Sequence, residues 1–158
     1  MPDLGAFQGS PPCQSRGNAT GRIVGNRQEI CGQMVPEGFS MIEAISAVTL
    51  ATHDMKRAVR FYASLGFQML YGGEASAFTS FRAGPGYLNL IAQGDEKRWS
   101  WWGRLIFHVD DVDAIYQTAL KAGHRPSTVP RDAEWGERYF HLTDPDGHEL
   151  SFAKPLRR

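Results

Sequence analysis

Cysteine is scarce in this sequence: Cys13 and Cys31 are the only two among 158 residues. Two thiols build neither a disulfide scaffold nor a four-thiolate zinc site. A charge surplus is also missing, because 17 Lys and Arg face 17 Asp and Glu. Nucleic acid and anionic membrane surfaces need a positive excess on some face, so neither is expected as the main partner. No apolar run approaches the roughly 20 residues of a membrane span. The start, MPDLGAFQGSPPCQSRGN, has no basic stretch followed by an apolar one, the pattern of a secretory signal. The cytoplasm is therefore the expected compartment. There is no Gly-rich phosphate loop with a Lys, no Gly-x-Ser-x-Gly elbow and no Cys-His pair in the patterned region. What is present is ordinary globular material, 42% hydrophobic and 22% charged, of a length that suits one domain.

Residues 1–40 differ from the rest. They hold 7 of the 17 glycines, 4 of the 9 prolines and both cysteines, but only Phe7 and Phe39 of the aromatics. They show neither a 3.6-residue nor a 2-residue periodicity. Such a stretch buries too little apolar surface to offset its ordering entropy. Residues 1–40 are read as an irregular or disordered extension, with Met41 a plausible natural start, and residues 41–158 as the domain.

From Ile45 a pattern begins, and it occurs twice. Ile45 to Ala51 alternates as a strand, Asp54 stands in an N-cap position, and Met55, Ala58, Val59, Tyr62 and Leu65 recur at helical spacing up to Gly66. Phe67 to Tyr71, Ala77 to Arg82 and Tyr87 to Ile91 read as three further strands. The second half repeats the order: Arg104 to Val109, the cap Asp111, the stripe Val112, Ile115, Tyr116, Ala119 and Ala122, and the stop Gly123. Cap and stop are twelve residues apart both times. Arg138 to Thr143 and His148 to Ala153 close the second half around an Asp144-Pro-Asp-Gly147 turn. The expected fold is α+β: two βαβββ modules, over about 45–92 and 104–156, whose sheets curl into a half-open barrel around a cavity.

Three segments carry a resemblance to a known family: Arg60-Phe-Tyr-Ala-Ser-Leu-Gly-Phe67, Phe107-His-Val-Asp-Asp-Val-Asp113, and Trp135 to Leu150 with its Asp-Pro-Asp-Gly turn. Together they resemble the vicinal oxygen chelate superfamily, which contains glyoxalase I, bleomycin resistance proteins, fosfomycin resistance enzymes and extradiol dioxygenases. The resemblance covers residues 45–156. It implies the glyoxalase-like half-open barrel and a homodimer, formed either by swapped modules or by edge contact.

The same resemblance implies four metal-ligand positions. In this sequence they fall on Ala47, Asn89, Arg104 and Ser151. Transition metals need deprotonated donors, chiefly His, Cys and carboxylate. Alanine has none, amide and hydroxyl oxygens are weak, and a guanidinium keeps its proton and has no acceptor. At about 4 Å it repels a dication by on the order of 8 kcal/mol at an effective dielectric near 20. No metal or other cofactor is expected. His108 with Glu149 is the one replacement pair the strand alternation suggests; His53, His124, His141 and His148 share no spacing and are read as loop or surface residues.

The cavity is therefore read as a binding site for an organic ligand with an anionic or carbonyl oxygen. The candidate ligand-binding residues are Arg104, Asn89, Ser151, Thr49, Trp102, His108 and Glu149. Arg104 either grips the ligand or pairs with Glu149. Trp99, Trp101 and Trp102 form either an aromatic wall or a packing contact between modules or copies. Two functions stay open. One is metal-free sequestration of a small molecule, resembling bleomycin resistance proteins. The other is a lyase, isomerase or dioxygenase-like enzyme with a non-standard metal site or with Arg104 as electrophile.

Overall fold

The computed structural model describes residues 44–156. The extension expected over residues 1–40 lies outside the described residues. Both helices are built by the same local devices. Asp54 accepts a hydrogen bond from the Arg57 amide at 2.9 Å and opens α1 (Met55–Ser64). Asp111 accepts one from the Ala114 amide at 2.9 Å and opens α2 (Val112–Lys121). Each cap satisfies one orphan amide of the first turn. At the other ends Gly66 and Gly123 sit at φ +92° and +83°. Such left-handed backbone suits glycine and lets the following amide reach back, Phe67 to the Tyr62 carbonyl and His124 to that of Ala119.

The strands are β1 (Ala47–Thr52), β2 (Met69–Tyr71), β3 (Phe78–Ala83), β4 (Gly86–Ala92), β5 (Arg104–His108), β6 (Arg131–Asp132), β7 (Glu137–Thr143) and β8 (Glu149–Pro155). They form two four-stranded mixed sheets, in the orders β1-β4-β3-β2 and β5-β8-β7-β6. Each sheet pairs its first strand in parallel with its last and is antiparallel elsewhere. The βαβββ order expected from the sequence is present twice. Among the described residues no ladder joins the two sheets, so they do not close into a barrel. Several strand limits differ from expectation by one or two residues: Ile45 and Ser46 precede β1, Phe67 and Gln68 precede β2, Ala77 precedes β3, Val109 follows β5, and His148 precedes β8. The two-residue β6 is too short for its side chains to show a period.

Helix α1 packs on the first sheet and α2 on the second. One core then runs through both modules. Phe67 meets Phe107 edge-on at 5.0 Å across the module boundary, and Phe107, Phe152 and Phe140 stack at 5.6 and 5.2 Å. Burying each such ring contributes roughly 1.5–3 kcal/mol.

The Asp144-Pro-Asp-Gly turn between β7 and β8 clasps the first module. The Tyr62 hydroxyl donates to Asp144 Oδ2 at 2.8 Å, and the Thr52 hydroxyl donates to Asp146 Oδ2 at 2.6 Å. Asp146 Oδ1 also accepts from the His53 amide and from the Arg57 guanidinium, at 3.1 and 3.3 Å. Burial pushes the Asp144 carboxyl above and the Tyr62 hydroxyl well above their ordinary ranges. Tyr62→Phe keeps the ring but leaves Asp144 short of a donor. It is expected to lower the unfolding free energy in urea by about 1.5–3 kcal/mol; a change within error contradicts the clasp.

Candidate binding site

The pleat sends alternate residues of the second sheet to opposite faces. Leu105, Phe107, Leu150, Phe152, Phe140 and Leu142 enter the core. The other face carries Arg104 and Ile106 of β5, Ser151 and Ala153 of β8, Glu137, Tyr139 and His141 of β7, and Arg131 of β6. With Trp135 these line a hollow of about 540 Å³. Register sets the neighbours: Arg104 lies opposite Glu149, Ser151 opposite both Ile106 and His141, and Tyr139 opposite Arg131.

Arg104 is paired. Its Nε and Nη2 lie 3.2 and 3.1 Å from Glu149 Oε2. The Trp101 indole donates to the same oxygen at 3.1 Å. That N–H and the guanidinium hold the Glu149 carboxyl below its usual range. Of the two roles open to Arg104 in the sequence, the structure displays the ion pair.

The remaining sequence candidates fall in different places. Ser151 is 3% exposed at the bottom of the hollow, its hydroxyl donating to the Phe140 carbonyl at 3.4 Å. Thr49 and Asn89 lie on the first sheet, joined to each other at 3.4 Å, and neither lines the hollow. His108 sits at the far end of β5 from Arg104 and bonds to Glu137, 3.2 Å away, instead of meeting Glu149. Trp102 donates to His148 Nδ1 at 2.9 Å. Trp99 is stacked on His53 at 4.2 Å and donates to the Asp146 carbonyl at 2.8 Å, so it packs across the modules. None of the three expected tryptophans lines the hollow.

Of the histidines read as loop or surface residues, His148 lies in the loop before β8 but is buried, and His141 lies on a strand. His148 is 4% exposed. With Trp102 donating to its Nδ1, its Nε2–H donates to the Ala51 carbonyl at 2.8 Å, which fixes a neutral tautomer. His141 lies on β7 in the wall of the hollow, and its Nδ1 is buried without a hydrogen-bond partner among the described residues. Burial, helped by the Arg104 and Arg131 charges, lowers its pKa and keeps it neutral near pH 7. Trp135, 68% exposed, stacks on Tyr139 at 5.4 Å and donates to Glu137 Oε2 at 3.1 Å. Sequence reasoning missed Arg131, Trp135, Tyr139 and His141 as site residues. The alternation of 137, 139 and 141 along β7 was the signal available for two of the four.

A family model described as the Glyoxalase/Bleomycin resistance protein/Dioxygenase superfamily matches residues 44–152. The chain belongs to this superfamily. Among solved structures it is similar to TioX from Micromonospora sp. ML1, 26% identical with a TM-score of 0.60, over 72% of this chain and 100% of that one. A bleomycin resistance determinant encoded on the transposon Tn5 shares the fold at 20% identity and a TM-score of 0.60, over 72% of this chain and 98% of that one. Lactoylglutathione lyase from Agrobacterium tumefaciens does so at 18% and 0.60, over 73% and 96%. An uncharacterized protein of Mycobacterium tuberculosis is 47% identical over 49 residues, which span 31% of this chain and 29% of that protein.

The four residues that the sequence resemblance implies as metal positions do not fit a metal by their chemistry. Ala47 and Asn89 lie on one sheet, Arg104 and Ser151 on the other, and none is His, Cys or carboxylate. Among the described residues no three His, Cys, Asp or Glu form a group that holds a metal ion.

Glu149 supplies a pH prediction. Its folded pKa is lowered, so its contribution to stability is complete above the unfolded value and fades as pH falls through the folded one. Glu149→Gln is therefore expected to lower the melting temperature at pH 7 and to change it less at pH 3. An equal effect at both pH values contradicts the ion pair.

Proposed function

We propose that this chain binds a small organic molecule in the hollow of its second sheet without a metal, acting as a homodimer in the cytoplasm. One observation carries the reading. A guanidinium already paired with Glu149, at a position where the sequence resemblance implies a metal ligand, stands beside a hollow of about 540 Å³. That volume suits a small-molecule site, and the wall mixes apolar surface with a few polar groups as such sites do. The likeness to a bleomycin resistance determinant supports the fold on which such binding is built.

A homodimer is favoured by the open face of the first sheet. It exposes Tyr71, Phe78, Tyr87 and Ile91 side by side, and exposed apolar patches mark interaction surfaces. The cytoplasmic setting agrees with the described helices, none of which is long and apolar enough to cross a membrane.

The test is a thermal-shift screen of small carboxylates, S-hexylglutathione and bleomycin, run before and after dialysis against EDTA. A ligand held at about 100 times its Kd adds about 2.7 kcal/mol of apparent stability, enough for a shift of several degrees. At least one compound is expected to raise the melting temperature equally with and without the chelator. A shift abolished by EDTA and restored by zinc contradicts metal-free binding.

A further inference from the structure

Among the described residues the hollow contains a cation without a counter-charge. Arg104 is taken by Glu149. Arg138, on the neighbouring strand, holds Asp113 at 2.7 Å and Asp132 at 2.8 Å. Glu137 has one oxygen on the Trp135 indole and the other on His108. Among the described residues Arg131 pairs with no carboxylate. Its Nε donates at 2.8 Å to the neutral Tyr139 hydroxyl, and its guanidinium carbon sits 5.2 Å from the centre of the Tyr139 ring. That arrangement fixes the side chain and leaves its two terminal nitrogens for an incoming anion. A guanidinium held in place presents a flat fork that matches a carboxylate.

Two further features stand beside this fork. Trp135 is stacked on Tyr139 through one face and is still 68% exposed, so its other face is open. A flat ring laid on it gains offset stacking and removes both surfaces from water. His141 contributes a buried Nδ1 without a partner among the described residues, and buried polar atoms normally have one. Its neutral ring adds no repulsion toward either sign of ligand charge.

We propose that Arg131 is the anion anchor of this hollow, and that its ligand is a flat aromatic carboxylate: the carboxylate on the Arg131 fork, the ring on Trp135. The proposal rests on the reading of the hollow as a binding site, and it names the ligand class and the residue that selects it. It also moves the anchoring role from Arg104, which is internally paired, to a residue of the shortest strand in the sheet.

Three naphthyl probes that differ in charge test it by calorimetry and tryptophan fluorescence: 2-naphthoate, neutral 2-naphthamide and cationic 2-naphthylmethylamine. The wild-type protein is expected to bind 2-naphthoate at least tenfold more tightly than the other two. Arg131→Gln is expected to bring 2-naphthoate down to the affinity of 2-naphthamide while leaving the amide unchanged. Trp135→Ala is expected to weaken both. Should Arg131→Gln fail to fold, Arg131→Lys and a salt titration replace it: the charge-retaining variant keeps the preference for the acid, and added NaCl weakens 2-naphthoate but not 2-naphthamide. Equal binding of acid and amide, or an acid preference that survives Arg131→Gln, overturns the anchor. Compounds from the thermal-shift screen that bind independently of Arg131 sink this proposal and leave the binding function standing. No binding by any naphthyl probe or screened compound at millimolar concentration removes both.

Discussion

Everything at the site depends on where β8 lies. It is flanked by β5, running parallel, and by β7, running antiparallel. This single placement sets Arg104 opposite Glu149 and puts Ser151 between Ile106 and His141. Side chains alternate strictly along a strand, so a slip of one residue would send this whole set into the core and turn Leu150 and Phe152 outward. The apolar face forbids that slip, since Phe152 is locked in a stack with Phe107 and Phe140. Hydrophobic packing behind the sheet thus holds the polar arrangement in front of it.

The loop that feeds β8 is fixed from the other side. Asp144 and Asp146 spend their oxygens on Tyr62, Thr52 and the β7–β8 turn's own amides, and His148 caps the free carbonyl of Ala51. A buried polar group without a partner costs about 1–3 kcal/mol, so this interlocking set resists loosening. Trp99 and Trp102 close over the same turn. The tryptophans between the modules therefore brace the scaffold, while the hollow takes its aromatic surface from Trp135 and Tyr139.

The helices, their caps and stops, and the repeated module were legible in the sequence because each rests on local chemistry. Asp54 and Asp111 cap within three residues, and Gly66 and Gly123 stop within one. The pairing of Arg104 with Glu149 was legible as one of two roles, since the repeat placed both residues on a shared face. What could not be read depends on contacts distant in the chain. His148 has no local mark of burial, because its partners Ala51 and Trp102 lie 97 and 46 residues away. The anchor Arg131 sits in a strand of two residues, too short for any period. Thr49 and Asn89 face a different surface from Ser151 because the two sheets are separate, which no spacing within one module reveals.

The account turns on the Arg104 guanidinium, paired with Glu149, at a position where the sequence resemblance implies a metal ligand. Elemental analysis of the purified, undialysed protein tests it most directly. Far less than one equivalent of zinc, nickel, manganese or iron per chain is the expected result. A stoichiometric metal that stays through gel filtration would contradict it.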